Sequence, residues 1–161
     1  MNDDMYQTIY NQLPYVGPLG EASDIRKSEL AIVIKQIPES VRKIALERCI
    51  FAYMPPLAVG CASRGSLPEQ ALTDLNDFHL ILISEYRLDL SVAFAIKQFG
   101  WKRMTAARRL EEARIYLRKL RHVLAHEIAH AFIDDTYSER PANPEAEANR
   151  LAAEWGFDEP K

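Results

Sequence analysis

The sequence predicts an α+β fold that is rich in helix and carries a small sheet of two or three strands. Residues 105 to about 134 contain neither proline nor glycine, and their apolar side chains recur at helical spacing. They predict one long helix, or two helices joined by a bend. A further helix is expected to open at Asn143-Pro144 and to close at Gly156. The near-continuous apolar run of residues 78–84 is typical of a strand that is covered on both faces.

The first half of the chain is predicted to hold shorter elements. Several prolines and glycines in residues 1–24 predict an irregular N-terminal arm, with room for one short helix near residues 6–13. Helical spacing is present in residues 28–36 and again in residues 41–49. Residues 57–63 are apolar and lie between a proline and a glycine, which indicates another strand.

Length and composition favour one ordinary globular domain, residues 1–161. A chain of 161 residues can bury a core without disulfide or metal staples, and a net charge of -3 suggests neither a nucleic-acid nor a membrane partner. The N-terminus is acidic rather than basic, and no apolar run is long enough to span a bilayer. Cys49 and Cys61 have no paired spacing and are expected to be free thiols. A cytoplasmic location follows as the expectation.

The segment His126-Glu127-Ile128-Ala129-His130 carries the predicted chemistry. Two histidines four apart lie on one face of a helix, so both imidazoles can reach one zinc ion at ~2.0–2.1 Å. Zinc lowers the pKa of a bound water to ~7, and Glu127 is placed to take its proton as general base. The segment therefore predicts a zinc-dependent metallopeptidase with a protein or peptide substrate.

A catalytic zinc needs a third protein ligand, and no histidine follows the motif. His122 lies about 12 Å along the helix from His130, too far for one zinc to gather all three histidines. A carboxylate from the last helix is therefore expected. Glu147 is favoured because it sits among small apolar residues, where a carboxylate needs a partner, and Glu145 is the alternative. Asp134 and Asp135 follow the motif closely and suit a supporting role.

The zinc motif followed by Glu145-Ala146-Glu147-Ala148-Asn149-Arg150-Leu151-Ala152 resembles the ImmA/IrrE-like metallopeptidases. That family has a similar zinc helix and then a Glu-Ala-Asn helix whose glutamate completes the site. The resemblance covers roughly residues 120–155 and implies that Glu147 is the third ligand. It also implies a gluzincin-type zincin domain, with a small sheet beside a long zinc-binding helix. A cytoplasmic enzyme that cleaves regulatory proteins such as repressors is implied in the same way.

Residues 102–122 are strongly basic, and two interpretations are open. A solvated helix face with local ion pairs is favoured over a surface for nucleic acid or an acidic substrate. The alternative function is therefore a catalytically silent zincin-fold binding or regulatory protein that uses this basic helix. The sequence leaves the oligomeric state open.

Four other polar residues have possible roles near such a site. Three tyrosines could stabilise an oxyanion, although packing is the commoner role of tyrosine. They are Tyr86, Tyr116 and Tyr137. His79, on the predicted strand, is expected to belong to the core.

Overall fold

In the computed structural model, the residues described are 3–13, 15–16, 21–54, 78–84 and 105–159. The chain divides into two compact units, Met1–Ser84 and Glu85–Lys161. The described part of the first unit contains three helices and a small parallel sheet, and that of the second contains two helices. The prediction of a single domain stays a prediction.

The first unit alternates helices with parallel strands. Its helices are α1 (Asp3–Gln12), α2 (Glu21–Gln36) and α3 (Glu39–Glu47), and its strands are β1 (Tyr15–Val16), β2 (Cys49–Met54) and β3 (His79–Ser84). The strand order is β1-β2-β3, and both pairings are parallel. Parallel neighbours need a long crossover, and α2 with α3 provides it between β1 and β2.

The turn between α2 and α3 is fixed by one arginine. The guanidinium of Arg42 donates to the carbonyl oxygens of Ile34, Lys35 and Ile37 at 3.0–3.1 Å. These carbonyls belong to the last turn of α2 and to the residue that follows it, where the helix leaves its last acceptors without partners. The turn therefore brings α3 back toward β2, whose Phe51 lies in the core with no exposure.

The second unit is built on α4 (Ala106–Thr136), which begins after the Thr105 cap. A short turn leads to α5 (Pro144–Glu154), whose first turn is capped by the Asn143 side chain. At its other end, Gly156 has φ 89°, and the amides of Gly156 and Phe157 bond the carbonyls of Ala153 and Ala152. These paired bonds form a Schellman motif, which favours glycine at the left-handed position.

Helices α4 and α5 pack against each other through small side chains. Ala125 and Ala129 of α4 and Ala148 and Ala152 of α5 have no exposure. Because the distance between packed helices depends on the side chains at the contact, alanines let these two backbones approach closely. This packing brings the first turn of α5 to the histidines of α4.

The structure confirms most of the helix predictions and one predicted strand. The long helix is continuous, α5 opens and closes where predicted, and β3 differs from the predicted run by one residue. Cys49 is buried and begins β2 rather than ending a helix. The predicted strand over residues 57–63 and its Cys61 lie outside the described residues. A zincin-type arrangement of sheet and long helix stays a prediction.

Candidate metal centre

Two histidines and one glutamate converge where α5 begins. His126 and His130 are one turn apart on α4, and their Nε2 atoms lie 3.1 Å from each other. The carboxylate of Glu145 reaches both, with Oε2 3.2 Å from Nε2 of His126 and Oε1 3.4 Å from Nε2 of His130. These three residues could hold a metal ion.

The spacing of the three ligand atoms fits a tetrahedral zinc site. Corners of a tetrahedron around zinc with bonds of ~2.0–2.1 Å lie about 3.3–3.4 Å apart. The observed separations of 3.1, 3.2 and 3.4 Å are close to that edge. Two imidazoles and a carboxylate are also a ligand set that suits zinc. The residues present therefore fit the metal that the motif implies.

Each of two neighbouring histidines of α4 makes a hydrogen bond toward α5. Nδ1 of His126 lies 2.8 Å from Oδ1 of Asn149. Nδ1 of His122 lies 2.8 Å from the carbonyl oxygen of Phe157, in the segment that follows α5. His122 is half-buried and is not one of the three grouped residues. His122 therefore links α4 to the segment that follows α5.

Glu147 lies in a different environment from Glu145. Its Oε1 accepts a hydrogen bond from the hydroxyl of Tyr137 at 2.6 Å, and Arg150 donates to both carboxylate oxygens at 2.7 and 2.9 Å. Arg150 also pairs with Glu154. The bonds from Arg150 and then from Tyr137 lower the pKa of Glu147 to about 2, while the bond to Glu147 raises the pKa of the Tyr137 phenol.

The structure thus brings together His126, His130 and Glu145, the alternative third ligand, and leaves Glu147 outside the group. The physical reason is helical phase. At 100° per residue, Glu147 lies about 200° around α5 from Glu145. Glu147 was expected among small, buried residues, but its neighbour Ala146 is exposed. Glu147 as a ligand stays a prediction, and its carboxylate is already satisfied by Arg150 and Tyr137.

The sequence analysis gives Asn149 no role, although the spacing of polar residues on α5 indicates that it faces α4. Glu145 and Asn149 are four residues apart and therefore share one face of α5. The buried Ala148 and Ala152 lie beside that face. A polar pair four apart at the border of a small-residue contact indicates the side of α5 that meets α4.

The other predicted residues occupy varied positions in the second unit. Glu127 is half-buried on α4, next in sequence to His126, and its role as general base stays a prediction. Asp134 is exposed, and Asp135 and Tyr116 are half-buried. Tyr86, like the basic residues Lys102 and Arg103, lies outside the described residues. In the first unit, His79 is half-buried on β3 rather than fully in the core.

Comparisons with known proteins add no relative. The chain matches no protein family, no curated protein and no solved structure. Among the described helices, none combines the length and apolar character needed to cross a bilayer. The case for a metal centre therefore rests on the geometry of His126, His130 and Glu145.

Proposed function

We propose that the chain is a zinc-dependent metallopeptidase of the zincin type, with the metal held by His126, His130 and Glu145. One observation carries the proposal: three ligand atoms converge at the edge lengths of a tetrahedral site. Two of these atoms, from His126 and His130, belong to the helix that also carries Glu127, the group that hydrolysis would require. A purely structural histidine pair has no need of that glutamate.

The ligand set leaves room for a substrate. Three protein ligands leave the fourth position of a tetrahedral site open, as catalytic zinc sites do. The side chain of Glu145 is 74% exposed, whereas those of His126 and His130 are 14% and 25% exposed. The histidines therefore form the floor of the site, and the glutamate borders its solvent side. A peptide would approach from that side.

Glu127 supplies the proton transfers in this proposal. When bound, zinc would polarise the scissile carbonyl and lower the pKa of the attacking water. Glu127 follows His126 directly, so its side chain is turned about 100° around α4 from that of His126. From there its carboxylate would take the proton of the attacking water and pass it to the leaving amine.

The test compares wild type with Glu127→Gln, which keeps the shape of the side chain but cannot accept a proton. We expect one zinc per chain in both proteins by elemental analysis of the purified chain. We expect peptide hydrolysis to fall about 10²–10⁴-fold or more in the variant, the range attributed to general acid–base catalysis. Glu154→Gln, on α5, is the matched control and should leave both quantities unchanged.

Two outcomes would contradict the proposal in different ways. No bound metal in wild type, even after zinc is supplied, would remove the metal centre itself. Bound zinc with full hydrolysis in Glu127→Gln would keep the centre and remove Glu127 as its base. Cleavage has to be followed on a mixed peptide library, because the substrate sequence is open.

The second candidate is a catalytically silent binding protein that acts through the basic helix. It draws on the exposed side chains of Arg108 and Arg114, which are 61% and 66% exposed on α4. Each has an acidic neighbour one turn away, Glu112 and Glu111 respectively, which favours a solvated face. Bound zinc, no hydrolysis of any library peptide and nucleic-acid binding that falls steeply with salt would favour this candidate.

A further inference from the structure

We propose that Asn149 is a positioning residue of the metal centre, which fixes the tautomer and the orientation of the His126 ring. The inference rests on the proposed function for the metal and adds a residue that the ligand set does not contain. It starts from one hydrogen bond, between Nδ1 of His126 and Oδ1 of Asn149 at 2.8 Å.

The direction of this hydrogen bond determines which nitrogen of His126 is available. An amide oxygen only accepts, so Nδ1 of His126 must carry the hydrogen. A neutral imidazole has a single N–H, and Nε2 is then left with a bare lone pair. Nε2 is the atom that faces His130 and Glu145, at 3.1 and 3.2 Å. The amide therefore directs the ligand lone pair into the candidate centre.

The fold holds Asn149 in place from both ends of α5. The side chain of Asn143 caps the first turn, and the Schellman motif at Gly156 closes the last. Between these ends, Ala148 and Ala152 are fully buried against the helix contact and fix the rotation of α5. Asn149 itself is exposed, so burial of its side chain contributes little to this contact. What it contributes is the hydrogen bond.

The expected effect follows from metal sites in general. A ligand histidine usually donates its other N–H to a carboxylate or carbonyl oxygen, which orients the ring and raises its basicity. Loss of that partner typically weakens metal binding 10–100-fold. We therefore expect Asn149→Leu, which keeps the size but removes the acceptor, to weaken zinc binding by about that factor. Asn149→Asp restores an acceptor and should recover most of the affinity.

Zinc affinity is measured by competition with a chelator of known affinity, on the full chain. Asn143→Ala is the matched control, because it removes the cap of α5 without changing either partner of the hydrogen bond between His126 and Asn149. If Asn149 acted only by stabilising α5, the control would lose as much affinity as Asn149→Leu. We expect the control to stay within about threefold of wild type, well short of the loss expected for a positioning residue.

A second measurement reports on the tautomer without any metal. Nitrogen-15 NMR of the metal-free chain, at a pH above the ordinary imidazole pKa of ~6.5, distinguishes a protonated Nδ1 from a protonated Nε2. We expect His126 to carry its proton on Nδ1 in wild type and in Asn149→Asp. In Asn149→Leu we expect Nε2 to become protonated in part or in full.

Three results would overturn the inference, and they are distinguishable from one another. A wild-type His126 protonated on Nε2 removes its premise directly. Zinc affinity equal in wild type and Asn149→Leu leaves the metal centre standing but denies Asn149 a part in it. A wild-type chain that binds no zinc removes the proposed function and, with it, the role of Asn149 toward a metal.

Discussion

Two carboxylates on different faces of α5, those of Glu145 and Glu147, have different surroundings. Glu147 is surrounded by donors, namely the Tyr137 hydroxyl and the Arg150 guanidinium. Glu145, two residues earlier, faces two imidazole nitrogens that lie 3.1 Å from each other. Both belong to the acidic first turn of α5, and Arg150 balances the negative charge of Glu147.

The difference indicates which carboxylate is suited to a metal. The charge and hydrogen-bonding capacity of Glu147 are satisfied by Arg150 and Tyr137, and binding a metal would require breaking those bonds. The carboxylate oxygens of Glu145 lie 3.2 and 3.4 Å from two imidazole nitrogens that are 3.1 Å apart, separations that suit ligands of one cation. A convergence of three possible ligand atoms is therefore more informative about a metal site than a carboxylate among small apolar residues.

The largest expected effect separates the two glutamates directly. We expect Glu145→Ala to weaken zinc binding by more than the ~10–100-fold that loss of a supporting residue causes, because it removes a ligand. Glu147→Ala, a change of the same size on the same helix, should leave zinc affinity within a few-fold of wild type. Chelator competition measures both.

The opposite result would reverse the assignment. If Glu147→Ala lost zinc and Glu145→Ala kept it, α5 would have to rotate on metal binding and Arg150 would have to release Glu147. The sequence pattern would then have located the ligand better than the geometry of the three grouped residues.

The next effect concerns the free energy of unfolding, which zinc should raise if it binds the folded chain. Zinc that binds only the folded chain adds about 2.7 kcal/mol to the free energy of unfolding at a free concentration of 100 Kd. We expect this gain in wild type and in Glu147→Ala, and its loss in Glu145→Ala at the same zinc concentration. Urea unfolding with and without zinc measures it. Equal stability of wild type in both conditions would mean that zinc does not bind the folded chain.

The helices around the site could be predicted because their signals are local. The stretch that became α4 has no breaker, and the Asn143-Pro144 start and the Gly156 stop of α5 match well-known helix ends. β2 was missed because it begins at Cys49, one residue after the end cap of α3, where helical spacing still continued. The parallel pairing of β2 with β3 depends on contacts distant in sequence, which no local pattern contains.

The site was predicted in its histidines and left open in its carboxylate. His126 and His130 follow from spacing alone, since residues four apart share a helix face. Choosing between Glu145 and Glu147 required the rotation of α5, and that rotation is set by Ala148 and Ala152 packing on α4. Glu145 lies in the first turn of α5, and this position brings its carboxylate to the two histidines.

The smallest expected effect concerns the pKa of Glu147, whose carboxylate is hydrogen-bonded by Arg150 and Tyr137. The hydrogen bonds from Arg150, with a further one from Tyr137, hold the pKa of Glu147 at about 2, below the ordinary 4.5. A lowered carboxyl pKa means that the pairing stabilises the fold above about pH 4.5 and loses its effect as the pH falls toward 2. We expect Arg150→Gln to raise the Glu147 pKa toward its ordinary value, as measured by carbon-13 NMR titration of the carboxyl group.

Zinc affinity should stay unchanged in the same variant, because Arg150 contacts Glu147 and Glu154 rather than the ligand group. A Glu147 pKa that did not move would mean that Arg150 is not what distinguishes this carboxylate from Glu145, and the contrast between the two faces would lose its electrostatic basis.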